Sequence, residues 1–200
     1  MTLQEAIAAD NVDELYSLIK GNENLLDHGH EGPFPNTPLH NAANKGRIKV
    51  AMEIAILKPL LARKLNQEGF KPMHLALHQK HYHIARALMS LNLKLIRVRG
   101  RGRITPLHFV AGKRGKSEKE NMDLLELLVE FLSACKSSIE DLTSQCKTAV
   151  HVAVRTGNIG AFKVLLGWLK RARLTQILNW KDQDGNTVLH IAAFERKSKV

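Results

Sequence analysis

Apolar residues recur along this chain with a helical period, not the alternation of a strand. Ile48, Val50, Ala51, Ile54, Ala55 and Leu57 share one face, charged residues take the other, and the run stops near Pro59. The pattern returns with Ile84, Ala85, Ala87, Leu88 and Leu91, and again with Leu124, Leu125, Leu127, Leu128 and Leu132. Each run follows a shorter motif. Thr37-Pro38-Leu39-His40-Asn41-Ala42-Ala43 returns as Lys71-Pro72-Met73-His74-Leu75-Ala76-Leu77 and as Thr105-Pro106-Leu107-His108-Phe109-Val110-Ala111. Looser copies run from Thr148 to Val154 around His151 and from Thr187 to Ala193 around His190. A Thr before a Pro starts a helix: the hydroxyl caps a backbone N–H, and Pro stands where no N–H is needed. The small Ala residues let neighbouring helices approach closely. Turn-forming strings, Asn66-Gln67-Glu68-Gly69 and Asp182-Gln183-Asp184-Gly185-Asn186, lead back to the next motif. Each unit therefore reads as helix, turn, helix and return loop.

The pattern predicts an all-α solenoid of stacked helix-turn-helix units with finger loops, forming a single domain over 1–200. Its expected divisions are an N-terminal capping repeat 1–36, then 37–70, 71–104, 105–147 and 148–186, and a truncated last repeat 187–200. In the first, Leu3, Ala6 and Ala9 lie on one helix and Val12, Leu15, Leu18 and Ile19 on the next, with Gln4 in the place of the motif His. In the last, Val200 aligns with Val50, one turn into a second helix. Val188, Leu189, Ile191, Ala192 and Ala193 are then expected to lack a covering repeat, which implies a piece of a longer protein with a self-associating end.

Charge sharpens this picture. The chain carries 30 Lys and Arg against 19 Asp and Glu, for a formal net charge of +11. Residues 1–36 sum to −6, residues 37–117 to +15 and residues 118–200 to +2. A basic middle calls for an anionic partner. Two cysteines, Cys135 and Cys146, make no disulfide framework and suit a reducing, cytoplasmic setting. No secretory leader and no apolar run of membrane-spanning length is visible.

The candidate chemistry is sparse. Five of the ten histidines, His40, His74, His108, His151 and His190, hold one place per repeat, which is the signature of a structural hydrogen bond between neighbouring units. His74 and His78 have the spacing of a metal pair and His81 and His83 lie close by. No paired cysteines complete a site, so neither metal nor cofactor is expected. No nucleophile motif, catalytic triad or phosphate loop occurs, and the chain does not read as an enzyme. Arg97, Arg99, Arg101 and Arg103 crowd the loop before Thr105. Arg103 falls where Gly69 and Gly185 stand in other units, a place that favours left-handed backbone at roughly 1 kcal/mol to any other residue.

The five motif copies make the chain similar to the ankyrin-repeat family over essentially its whole length. Leu57-Lys58-Pro59, Ala62 to Asn66, Val98 to Gly102, Leu166 to Leu169 and Gly185 to His190 resemble plant ankyrin proteins with a C-terminal membrane region, the PGG domain. That resemblance implies a protein-interaction scaffold in plant defence and salicylate-linked signalling, held at the cytoplasmic face of the plasma membrane where the membrane region is present. The expected partner is a protein with an acidic surface, met on the concave face by Arg99, Arg101, Arg103, Asn44, Lys45, His78, Gln79, Lys113 and Arg114. The alternative is a nucleic acid or anionic lipid bound by the basic middle, although aromatics for base stacking are lacking.

Overall fold

Three of the motif helices begin in the same way. In the computed structural model, which describes residues 2–27 and 34–197, Thr37, Thr105 and Thr148 all sit in extended backbone just before a helix. Each hydroxyl accepts the amide of the motif His three residues on, and each His ring reaches back to the threonine amide. Thr2 makes the same reciprocal box with Glu5. Lys71 has the same backbone but no side chain to cap with.

The chain divides into two compact units, 1–101 and 102–200. Unit 1 holds α1 (Leu3–Ala9), α2 (Val12–Gly21), α3 (Pro38–Lys45), α4 (Ile48–Leu57), α5 (Pro72–His78) and α6 (Tyr82–Leu91), with 3-10 turns at Pro59–Arg63 and Leu93–Arg97. The first helices pack in a row, α1 on α3 and α3 on α5, and the second helices do likewise, α2 on α4 and α4 on α6. Ile7, Leu15, Leu39, Ala42, Val50, Ile54, Leu77, Ile84 and Leu88 are buried between the rows. Burying a side chain of this size stabilises the fold by about 1.5–3 kcal/mol. Leu57 and Leu91, expected on the buried face, are 39% and 40% exposed. They stand on the last residue of their helices, where the neighbouring row ends.

Unit 2 holds α7 (Pro106–Gly112), α8 (Glu118–Ala134), α9 (Ala149–Arg155), α10 (Ile159–Ala172) and α11 (Val188–Lys197), with 3-10 turns at Lys136–Glu140 and Thr175–Asn179. Again α7 packs on α9, α9 on α11, and α8 on α10. The longer motif spacings go mainly into the second helices. α8 has 17 residues and α10 has 14, where α4 and α6 have 10. Ser117 caps α8, and Asn121 and Glu120 hold the inserted loop by accepting from Gly115 N and Lys116 N at 2.7 and 2.9 Å. No strand occurs among the described residues.

Side chains tie the repeats of a unit together. Asp10 ends α1 in left-handed backbone, and its Oδ1 accepts the Val50 amide at 2.9 Å, so it caps α4 from the neighbouring repeat. Asn158 caps α10 and donates from Nδ2 to the carbonyls of Ala111 and Lys113 at the end of α7. These bonds satisfy helix ends that otherwise lack partners.

The last helix differs from expectation. Val188 and Ile191 are only 6% and 8% exposed, because α9 covers them, and Ala192 is half-buried; Leu189 and Ala193 are exposed as expected, together with Phe194, with Leu189 at 76% and Phe194 at 71%. Val200 lies outside the described residues.

Candidate functional site

Three of the motif histidines bond from a helix start to the next finger. His40 Nε2 donates to the Phe70 carbonyl at 3.1 Å, His108 Nε2 to Lys147 at 3.0 Å, and His151 Nε2 to Trp180 at 3.0 Å. A carbonyl only accepts, so Nε2 carries the proton and Nδ1 receives the threonine amide and hydroxyl. Burial, the largest influence, pushes the His108 and His151 rings below the ordinary histidine range, against weaker opposing pulls from backbone carbonyls and nearby aspartates. The rings are neutral struts from one helix start to the next finger. His190, on the last described helix, is exposed and makes the bond to Thr187 at 2.7 Å.

The fingers rest on a second recurring device. Eight residues before the motif His stand Asn66, Thr143 and Asp182, whose side-chain oxygens accept the amide four residues on, at 2.8, 3.1 and 2.8 Å. These are side-chain turns that shape the loop from within. In the arginine-rich finger the same place is Gly100. A Cβ there would lie 3.1 Å from the Gly69 carbonyl and 3.4 Å from the His74 ring. Arg101 N donates to Gly69 O of the preceding finger at 2.8 Å, the backbone bond that Ser144 N makes to Gly102 O and Gln183 N to Gln145 O, and Arg101 Nη2 adds a side-chain bond to Gln67 O at 2.7 Å. Arg103 has φ +58°, the left-handed backbone expected from its register, and Cys146 at the same register has φ +56°.

The structure places the remaining sequence candidates as follows. In unit 1, Asn44 and Lys45 end α3, and His78 and Gln79 close the neighbouring α5; all four are exposed on one face. Arg99 and Arg101 are exposed on the finger of that unit. In unit 2, Arg103 and Arg114 are exposed, and Lys113 lies half-buried with Nζ 5.4 Å from the centre of the Phe109 ring. His78 stacks on Phe70, while His81 and His83 donate to the carbonyls of Asn44 and Gly46. Among the described residues no three His, Cys, Asp or Glu gather as a metal centre would need. Cys146 is exposed at a finger tip, and Cys135 is half-buried with Sγ 3.6 Å from the Ser137 hydroxyl.

One feature of unit 2 was missed at the sequence level. A depression of about 470 Å³ lies between the 143–147 finger and the paired helices α7 and α9. Ile104, Phe109, Gly112 and Val152 line it, with Gln145, Arg155 and Lys147 among the polar groups. Gly112 is needed there, since a Cβ would come within 2.8 Å of Val152 Cγ1. Arg155 follows its motif His by four residues, as Asn44 and His78 do, so its register was a usable signal.

The helix pairs stand in rows within each unit, three motifs share a capping box and a His strut from motif to finger, and a profile of ankyrin repeats (three copies) matches residues 3–97. The chain carries ankyrin repeats. It is 40% identical over 195 residues to the ankyrin repeat-containing protein BDA1 of Arabidopsis thaliana, an alignment covering 95% of this chain and 44% of that protein. The chain thus spans less than half the length of that curated relative. Among solved structures, a chain from the complex of the Bd0816 predatory endopeptidase of Bdellovibrio bacteriovorus with immunity protein Bd3460 superposes with a TM-score of 0.67. It covers 99% of this chain and 93% of its own length, and at 21% identity it shows the fold alone. Ankyrin repeats imply a protein-interaction scaffold, and that is the coarse function of this chain. No described helix is long and apolar enough to cross a membrane.

Proposed function

We propose that the chain is a protein-interaction scaffold in plant immune signalling that binds a protein with an acidic surface. The binding groups are the fingers and the exposed ends of the first helices. The similarity to BDA1 supports the plant setting. The observation that carries the acidic partner is the arginine-rich finger: Arg99, Arg101 and Arg103 stand exposed within a stretch of net charge +15. Arg101 is tied to Gln67 O, so the finger is held in place before a partner arrives. A preorganised cationic loop loses less conformational freedom on binding than a mobile one. In unit 2 the depression beside Phe109 and Ile104 adds an apolar foothold, with Arg155 at its lining to meet a carboxylate. Interfaces of this kind draw affinity from a buried apolar anchor and specificity from the charges around it.

The test is affinity capture from a plant extract with the 1–200 chain, compared with an Arg99→Glu, Arg101→Glu, Arg103→Glu variant. The helices should stand, since all three side chains are exposed, with the Arg101 bond to Gln67 O given up, and circular dichroism checks it. A specific partner should be lost or weakened at least tenfold, about 1.4 kcal/mol. Unchanged capture would return the loop to an ordinary solvated one.

A further inference from the structure

Independently of that reading, we infer that unit 1 carries a leucine-studded basic edge that docks on an anionic lipid bilayer. The edge forms where α4 and α6 run into the 3-10 turns Pro59–Arg63 and Leu93–Arg97. α4 packs on α6, and each helix packs on its own turn, which sets the two junctions next to one another. Ile56, Leu57 and Leu60 on one junction and Leu91 and Leu93 on the other are all exposed, Leu60 by 73% and Leu93 by 52%. This exposure does not come from a loose turn: Leu61, Ala62, Leu95 and Ile96 of the same turns are buried.

The fold does not require leucine there. Counting back from the next motif His, the place of Leu60 is taken in unit 2 by Ser137 and Gln176, and that of Leu93 by Lys136 and Thr175. Basic groups accompany the leucines. Arg63, Lys64 and Lys94 are exposed on or beside the two turns, and Glu68 is the one acid between residues 54 and 101. Leu60 and Leu93 stand on the two tight turns and Ile56, Leu57 and Leu91 at the helix ends before them, and none of the five lines the neighbouring depression formed by Asp27, Leu61, Arg63, Lys64 and Lys71. Apolar side chains projecting singly among lysines suit a soft interface, in which leucines enter the acyl boundary and ammonium groups stay among the headgroups. Asp27 is brought to this edge, beside Arg63 and Lys64 and paired with Lys58 at 2.5 Å, and the surplus of basic groups over it selects anionic lipid.

Co-sedimentation of the 1–200 chain with vesicles decides this. Vesicles of phosphatidylcholine with about 30% phosphatidylserine should bind at least tenfold more strongly than phosphatidylcholine alone, with binding falling as salt rises. Leu60→Ser with Leu93→Ser should reduce that binding about tenfold. Lys64→Glu with Lys94→Glu should reduce it by at least roughly fivefold per charge. Both variants alter exposed side chains, and equal melting temperatures confirm that they fold. The comparison of the two vesicle types on the unaltered chain depends on no variant. No binding to anionic vesicles, or equal binding to both types, overturns the inference. So does full binding by the leucine variant, which means adsorption by charge alone. Loss of a captured protein by that variant without any vesicle binding makes the edge a protein-docking surface and equally overturns it.

Discussion

Lys71→Thr should stabilise this protein. Lys71 occupies the capping position of α5 with φ −95° and ψ 162°, against −92° and 164° at Thr105 and −79° and 168° at Thr148. Threonine therefore enters without backbone change. It supplies the missing cap, a change that elsewhere contributes about 1 kcal/mol. It also places a hydroxyl beside His74 Nδ1, the pairing that Thr105 makes with His108 at 2.7 Å, for about another 1 kcal/mol. Against this, the bond from Lys71 Nζ to the Arg63 carbonyl is lost. Burial already holds the Lys71 ammonium below the usual lysine range, so removing it relieves a desolvation penalty that partly offsets that loss. The balance is a gain of about 1 kcal/mol, and a chain of this size gains roughly 2–4 °C in Tm for each such increment. Calorimetry and urea midpoints should both move up. An unchanged or lowered midpoint would mean that the repeated capping box is not what starts these helices.

Other outcomes follow from the same geometry. His108→Ala removes the bond to Lys147 O and the Thr105 pairing from a buried site, and should lower stability by about 2 kcal/mol in a urea titration, with His40→Ala behaving alike. His108 and His151 bind a proton more readily unfolded than folded, so their stability contribution is whole above the ordinary histidine pKa and drains away as pH falls below it; melting temperatures should drop between pH 7 and pH 5, and a rise on acidification would contradict the neutral-strut assignment. Cys146→Gly relieves left-handed strain at φ +56° and should raise stability by about 1 kcal/mol in the same titration. Asp10→Ala leaves the Val50 amide without its acceptor and should cost about 1 kcal/mol, seen as faster hydrogen exchange at the start of α4.

What the sequence disclosed was whatever is local or recurs in register. Thr37, Thr105 and Thr148 act through the residue three places on, so their role was legible from spacing alone. Arg103 was placed in left-handed backbone because Gly69 and Gly185 share its register. The missed features join residues far apart in the chain. Asp10 caps a helix 40 residues later, and His81 donates to a carbonyl 37 residues earlier. The Phe109 depression needs Val152 from another repeat beside Gly112, and periodicity does not report such a pairing. Leu57 and Leu91 were misread for the opposite reason: their period fits the core face, but they lie at helix ends where that face runs out.

The central claim, that fingers and first helices receive an acidic protein, is tested most directly by hydrogen exchange on the complex with a captured partner. The account predicts slowed exchange at residues 99–103 and at the C-terminal ends of α3, α5 and α7, with α4, α6 and α8 unchanged. Protection confined to the second helices, with the arginine finger exchanging as in the unbound chain, would contradict it.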